Sequence, residues 1–250
     1  MKKIIFLVSI IFAINILWAN PETTLEKANS AYQNQDYQTA LDNFLKVYNE
    51  GYENADLFYN IGNCYYRVGK LGNSILFLKK ALKLDSTHKK AKRSLEYVLT
   101  MTKDKQQLEN EEVVSKYLKN IISSISLNNL AVFVLIIITL IIFTFHIIIH
   151  KYSGKDRTVP YFFITVLIIL LIPALVTSGY KLKKLNSHNE AVLTTETAIG
   201  YSGPSSDFTR VFTIHEGMIL KIEKIQDDWA LVQLSNGIGG WIKLDALSRI

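Results

Sequence analysis

Residues 55–85 read ADLFYNIGNCYYRVGKLGNSILFLKKALKLD, and their reading decides the fold of the first part of the chain. Counting 34 residues forward takes Ala28 to Gly62, Asn29 to Asn63, Tyr32 to Tyr66, Ala40 to Ser74, Phe44 to Leu78 and Val47 to Ala81. Each pair is alike in size or chemistry, which is the signature of a structural repeat. Small residues at two fixed places let two antiparallel helices approach closely, and the large residues between them fill the seam. Residues 22–50 carry the same pattern more loosely, and Lys89 to Met101 carries half of a third unit. A repeat cannot bury its face alone, so the stretch 106–119 is expected to pack on as a final helix.

Outward from that stretch the chain becomes apolar. Hydrophobic residues make up 49% of the 250 and charged residues only 20%, more apolar material than one soluble core requires. The excess lies in two charge-free runs. The first, 130–149, is interrupted only by Thr139, Thr144 and His146. About 20 residues rising ~1.5 Å each cover roughly 30 Å of hydrocarbon. The second, 160–180, comes after a loop holding Lys151, Lys155 and Arg157, so the two spans form a transmembrane hairpin. Before it, 113–127 alternates apolar and polar residues at helical spacing, with Lys116 and Lys119 placed to reach headgroups. At the N-terminus, Lys2 and Lys3 precede an apolar run from Ile4 to Trp18 and then Ala19-Asn20-Pro21, which reads as a secretory signal. It is either cut after Ala19 or kept as a signal anchor, and either outcome exports the repeat region behind it.

From Ala191 onward the texture changes to short β-branched and aromatic runs punctuated by Gly203-Pro204, Glu216-Gly217, Asp227-Asp228 and Asn236-Gly237. These are strands joined by hairpins. The expected organisation is therefore multidomain: signal peptide 1–19, helical repeat domain 20–112, amphipathic connecting helix 113–127, transmembrane helices 128–150 and 160–180 around a cytoplasmic loop 151–159, linker 181–190, and a small all-β domain 191–250. Both soluble domains are expected on the periplasmic, extracytoplasmic side of the inner membrane. Charge alone argues for this less strongly than the signal does, since Lys181, Lys183 and Lys184 balance the three basic residues of the loop.

Three resemblances arise from these residues. Residues 55–85 resemble a tetratricopeptide repeat, with Gly62, Tyr65, Gly69, Ala81 and Leu84 matching the family pattern, Ser74 standing where alanine is usual and Ser86 where proline is usual. This implies an α-helical tetratricopeptide-repeat solenoid. The segment DDWALVQLSNGIGGWIKLDAL, from Asp227 to Leu247, resembles the closing half of a bacterial SH3-like barrel. The order of all the parts resembles the BatE family of Bacteroides aerotolerance proteins. That resemblance implies partners among membrane proteins with von Willebrand A domains and other aerotolerance-operon products, and it implies no reaction.

Candidate functional residues fall into five groups. In a repeat array the first helices of successive units line a protein-binding groove, here Asn29, Tyr59, Asn60, Asn63, Lys90 and Arg93. Asn29, Asn60 and Lys90 fall where some tetratricopeptide domains clamp a terminal carboxylate, although Leu25 and Ser94 stand where such a clamp is basic. Trp229 and Trp241 are the barrel's ligand candidates, for peptide or for peptidoglycan, with the barrel core as the alternative placement. The basic run from Lys79 to Arg93 reads as a solvated face or as a dock for an acidic partner or anionic lipid.

The lone Cys64 reads as core packing, with a redox-sensing thiol as the rival. His146 and His150, four apart on the first span, read as interfacial residues, with metal or proton chemistry as the rival. No nucleophile–base set, paired carboxylates, phosphate loop or metal-ligand spacing is present, so no catalytic residue, metal or cofactor is expected. The charge of +6 is modest and scattered, which argues against nucleic acid. The function expected is a non-enzymatic adaptor or scaffold of the bacterial envelope, with a peptidoglycan-binding module as the alternative.

Overall fold

The structure is a computed structural model that describes residues 21–105, 122, 125–151, 158–186 and 189–250. The expected signal 1–19, the final helix 106–119, most of the connecting helix 113–127 and the basic residues Lys155 and Arg157 lie outside the described residues.

Five helices come first: α1 (Pro21–Gln33), α2 (Tyr37–Asn49), α3 (Ala55–Arg67), α4 (Leu71–Leu84) and α5 (Lys89–Met101). Their starts keep the spacing read in the sequence, since α1, α3 and α5 begin at 21, 55 and 89 and α2 and α4 at 37 and 71, each 34 residues apart. Side chains fix three of these starts. Asp36 accepts the Thr39 N–H at 3.2 Å, Asn54 accepts the Leu57 N–H at 2.7 Å, and His88 Nδ1 accepts the Ala91 N–H at 3.0 Å. Each helix packs on the next. Phe44, Ile61, Ile75 and Leu78 are fully buried among them, and so are the small residues Ala28, Ala40, Ser74 and Ala81. A Cβ on Gly62 would stand 2.8 Å from Leu78 Cγ. Lys80 closes one flank by laying its ammonium over the Tyr48, Phe58 and Phe77 rings at 5.4, 5.9 and 5.2 Å.

Two long apolar helices come next, α6 (Leu127–Lys151) and α7 (Thr158–Asn186), packed on each other. Both are long and apolar enough to cross a membrane by length and composition, with mean hydropathies of 3.1 and 2.7. Their hydroxyls turn inward on their own backbone: Thr139, Thr144, Thr165, Thr177 and Ser178 each donate to the carbonyl four residues earlier. Helix α7 runs on through Asn186, so most of the stretch expected as a linker is helical.

The C-terminal part is an antiparallel sheet of seven strands, β1 (Glu190–Leu193), β2 (Thr197–Tyr201), β3 (Arg210–His215), β4 (Ile219–Gln226), β5 (Trp229–Gln233), β6 (Gly239–Lys243) and β7 (Leu247–Arg249), in the order β3-β2-β6-β5-β4-β1-β7. A 3₁₀ turn, Leu244–Ala246, joins the last two. Register shifts at Gly200/Tyr201 and Ile222/Lys224 bend the sheet around Leu193, Leu220, Val232 and Ile242. The turns fall at the four places that the sequence marks.

The sequence leads one to expect two separate projecting domains, and the structure instead joins them. Helix α4 begins at Lys70 without a side-chain cap, and the Gly72 N–H donates to Glu216 Oε1 of the β3–β4 turn at 2.7 Å. Around that bond, Lys79 pairs with Glu190 at 2.7 Å and the Lys83 ammonium donates to the Ile250 carbonyl at 2.9 Å. Past the end of α5, Asp104 accepts the His215 backbone N–H at 2.6 Å and lies 3.0 Å from His215 Nδ1. Lys103 Nζ lies 2.8 Å from His215 Nε2. An ammonium only donates, so Nε2 is the acceptor and the ring proton sits on Nδ1, facing Asp104. Val192 and Ile250 are buried in the helical core. Gly217, at φ +89°, completes the joint, because a Cβ there would meet Thr102 Cγ2 at 2.6 Å and Ile75 Cδ1 at 2.8 Å.

Two substitutions on α4, two residues apart, are expected to act oppositely. Ser74 is fully buried and, among the described residues, its hydroxyl has no partner. Ser74→Ala removes that desolvated group and improves helix propensity, and should stabilise the helical part by about 1 kcal/mol. Gly72→Ala would place a Cβ 2.5 Å from the Leu193 carbonyl oxygen, which is backbone and cannot swing away. It should cost about 1–3 kcal/mol. Hydrogen exchange on the intact chain checks both: protection rises across α3 and α4 in the first variant, and falls at Gly72 and Gly217 in the second.

Candidate functional site: an aromatic cleft on the sheet

Strand β5 alternates half-buried and buried residues, which puts Ala230 and Val232 inside and Trp229 and Leu231 outside. Strand β6 does the same, placing Trp241 outside, opposite Leu231 and Tyr201 in the two flanking pairings. Tyr201, Trp229 and Trp241 therefore share one outer face. The Tyr201 and Trp229 rings meet edge-to-face at 5.7 Å, and Lys224 Nζ lies 6.0 Å from the Trp241 ring centroid. Neither tryptophan belongs to the sheet's apolar core.

Trp229 opens onto a cleft of about 660 Å³. One wall is the β2–β3 loop at Pro204, Ser205 and Ser206, and the other is Asp228 with the turn from Lys243 to Asp245. Asp228, Lys243 and Asp245 are exposed, so the rim carries charge of both signs around an aromatic floor. Such a cleft holds an extended chain, with apolar contact on the indole and polar contact at the rim. Of the two tryptophans singled out from sequence, Trp229 lines the cleft and Trp241 stands beside it. Tyr201 and the charged rim residues escaped sequence reading, because Gly203-Pro204 and Asp227-Asp228 signal turns and carry no mark that the turns face each other.

The helical candidates lie elsewhere. Asp56, Tyr59, Asn63 and Tyr66 fall on one stripe of α3 that faces α5: His88 Nε2 lies 3.1 Å from Asp56, Tyr59 stacks on His88 at 5.1 Å, and Tyr66 meets Tyr97 at 5.7 Å. The Tyr66 hydroxyl is held above its ordinary value chiefly by its hydrogen bond to Tyr97. Asn60 and Asn63 are half-buried, whereas Asn29, Lys90 and Arg93 are exposed. Asn29 stands one turn before Tyr32, whose hydroxyl bonds Arg67 of α3.

The basic run divides. Lys79 and Lys83 are taken by the joint with the sheet, and Lys80 by the aromatic flank. Burial holds Lys83 below the ordinary lysine value, with Glu190 acting the other way. His146 and His150 stack at 4.3 Å on α6, and among the described residues no third histidine, cysteine or carboxylate joins them.

A small, strongly bent antiparallel sheet with a two-loop aromatic cleft is an SH3-like domain. The family model for the bacterial SH3 domain matches residues 195–249, from just after β1 to the end of β7. No curated protein matches the chain.

Cys64 is fully buried in α3, and burial pushes its thiol up to about 12 from an ordinary 9.0. The thiol form is thereby favoured in the folded chain. Its contribution to stability is complete below about pH 9 and is lost as the pH rises from there toward 12. Iodoacetamide at pH 8 should label Cys64 at least about tenfold more slowly in the native chain than in urea. Equal rates would make it an accessible, reactive thiol.

Proposed function

We propose that this chain is a non-enzymatic, membrane-anchored adaptor of the bacterial envelope, which binds one partner in the SH3-like cleft and a second on the helical repeats. The observation that carries the reading is the Trp229 cleft, within a domain that matches the bacterial SH3 family. Domains of this kind bind peptide or cell-wall material, and the aromatic floor with a mixed-charge rim suits either.

The membrane part of the proposal rests on α6 and α7. Leu135, Ile142, Phe162 and Val176 are each more than 60% exposed on these helices. Such faces are costly in water and favourable in lipid, and the hydroxyls bonded back to their own helix leave few polar groups unmet. We further read α1–α5 as tetratricopeptide repeats, on the 34-residue spacing of their starts, and Asn29, Tyr59, Asn60, Asn63, Lys90 and Arg93 as the lining of their groove. The BatE resemblance supports partners among von Willebrand A-domain membrane proteins and an aerotolerance or stress role. With the apparent signal, it supports placing both folded parts outside the cytoplasmic membrane. The second reading, a peptidoglycan-binding module, is favoured by the SH3 match alone.

Capture on purified wall material, set against crosslinking in native membranes, separates the two. Trp229→Ala should lower capture of the cleft's ligand more than tenfold, since a buried aromatic contact of this kind carries about 2 kcal/mol or more. Loss of wall binding on that substitution would install the second reading, and loss of a crosslinked membrane protein supports the first. Protease added to spheroplasts should cleave both folded parts, and protection of either would overturn the topology.

A further inference from the structure

Once Lys79, Lys80 and Lys83 have been assigned to the joint and the aromatic flank, four cations of the basic run remain exposed: Lys89, Lys90, Lys92 and Arg93. Among the described residues none of the four pairs with a carboxylate. Two acids of the neighbouring turns are engaged elsewhere, Asp56 with His88 at 3.1 Å and Asp85 with the Thr87 backbone and hydroxyl at 2.9 and 2.6 Å, and Glu96, one turn further along α5, forms no ion pair with Lys92 or Arg93 among the described residues. Folding alone does not favour this arrangement. The four occupy the first turns of α5, which carries no acid in its first turn, and the amide ends of a helix repel positive charge there.

The location of this turn is the second observation. The α4–α5 connection touches the outer end of the apolar pair: Lys181, directly after the charge-free run of α7, donates to Ser86 Oγ at 3.4 Å and to the Ile125 carbonyl. Ile125 stands two residues before α6. Lys89 and Lys90 follow Ser86 by three and four residues at the start of α5, and Lys183, two residues after Lys181 on α7, is exposed as well. The cations that the fold leaves unpaired are thus gathered where both apolar helices end.

We infer that Lys89, Lys90, Lys92 and Arg93 form a basic shelf that rests on the membrane surface and binds the phosphate headgroups of anionic phospholipid. This rests on the reading that α6 and α7 span the membrane. The headgroup phosphates supply the counter-charge that the protein withholds, and lipid is favoured over an acidic protein because the shelf adjoins the ends of the spans. Each basic residue near an anionic leaflet is worth about a fivefold gain in partitioning, so the four together are a substantial contact.

The test uses the intact chain, purified in detergent and reconstituted into phosphatidylcholine nanodiscs with or without phosphatidylglycerol. Native mass spectrometry should show phosphatidylglycerol binding preferred over phosphatidylcholine. The preference should fall at least tenfold in K89Q/K90Q/K92Q/R93Q, while a control neutralising Lys46, Lys70 and Lys221 keeps it. In nanodiscs, amine acylation of Lys89 and Lys90 should slow when phosphatidylglycerol is present and recover in high salt, which screens the surface charge. A chain that enters the discs and shows no difference between wild type and quadruple variant overturns the shelf and leaves the membrane reading standing. A chain that does not enter the discs overturns both. A variant that keeps its phosphatidylglycerol but loses a protein partner assigns these residues to an acidic protein segment, and the proposal falls.

Discussion

The contact between Gly72 and Glu216 governs how the folded parts outside the two apolar helices are arranged. Helix α4 starts on a lysine that cannot cap it, and the missing acceptor arrives from a turn 144 residues later. A carboxylate at a helix start meets both an orphan amide and the positive end of the helix dipole, so the bond is charge-assisted at no cost in further groups. It forms only because position 72 lacks a side chain. Any Cβ there would run into Leu193 backbone, so the distance between helix and sheet is set by a glycine rather than by side-chain packing. Strand β1 then acts as the fastener. It lies before the matched SH3 region, yet it gives Glu190 to Lys79 and buries Val192 in the helical core.

The lysines of α4 are explained by this contact. Positions 72, 75, 79 and 83 recur every three or four residues, so one face of α4 meets the sheet. Lys80 lies on another face and covers three aromatic rings. A run that looks uniform in sequence therefore serves three environments. In the last of them, on α5, the fold supplies neither a carboxylate nor an aromatic face from among the described residues. Periodicity thus separates structural from unassigned charge, which composition cannot do.

The sequence carried the helices and the turns well, for a physical reason. Helix pairing needs small residues at fixed spacing, and Ala28, Gly62, Ala40 and Ser74 display it openly; the starts at 21, 55 and 89 keep the same interval. Hairpins need residues that accept unusual backbone angles, and Asp227, at φ 51°, and Gly237, at φ +85°, supply them. The joint was not legible. Gly72 looks like a weak spot in a helix, Glu216 like half of a turn signal, and Asp104 and His215 lie 111 residues apart with nothing local to couple them. The cleft was half legible: the tryptophans stand out by type, but the rim depends on which turns the bent sheet brings together.

The joint also limits what the cleft can reach. Helix α7 ends at Asn186 and β1 begins at Glu190, so three residues connect them. The four Cα steps from Asn186 to Glu190 span at most about 14 Å, and the helical residues beyond Lys183 add roughly 5 Å. On the proposed membrane reading, β1 therefore starts within about 20 Å of Lys183, where the apolar stretch ends. It cannot swing outward, because Glu216, Glu190 and His215 hold the sheet to helices whose own α4–α5 turn touches Lys181. On that reading, a ligand for the Trp229 cleft would have to come down to a domain fixed near the bilayer. A segment of a neighbouring membrane protein is already at that height, and its effective concentration there is high without any additional contact. A distant polymer would have to approach a site that cannot rise to meet it. The short connection and the glycine joint together thus weigh toward the adaptor reading, on grounds independent of what the cleft itself can bind.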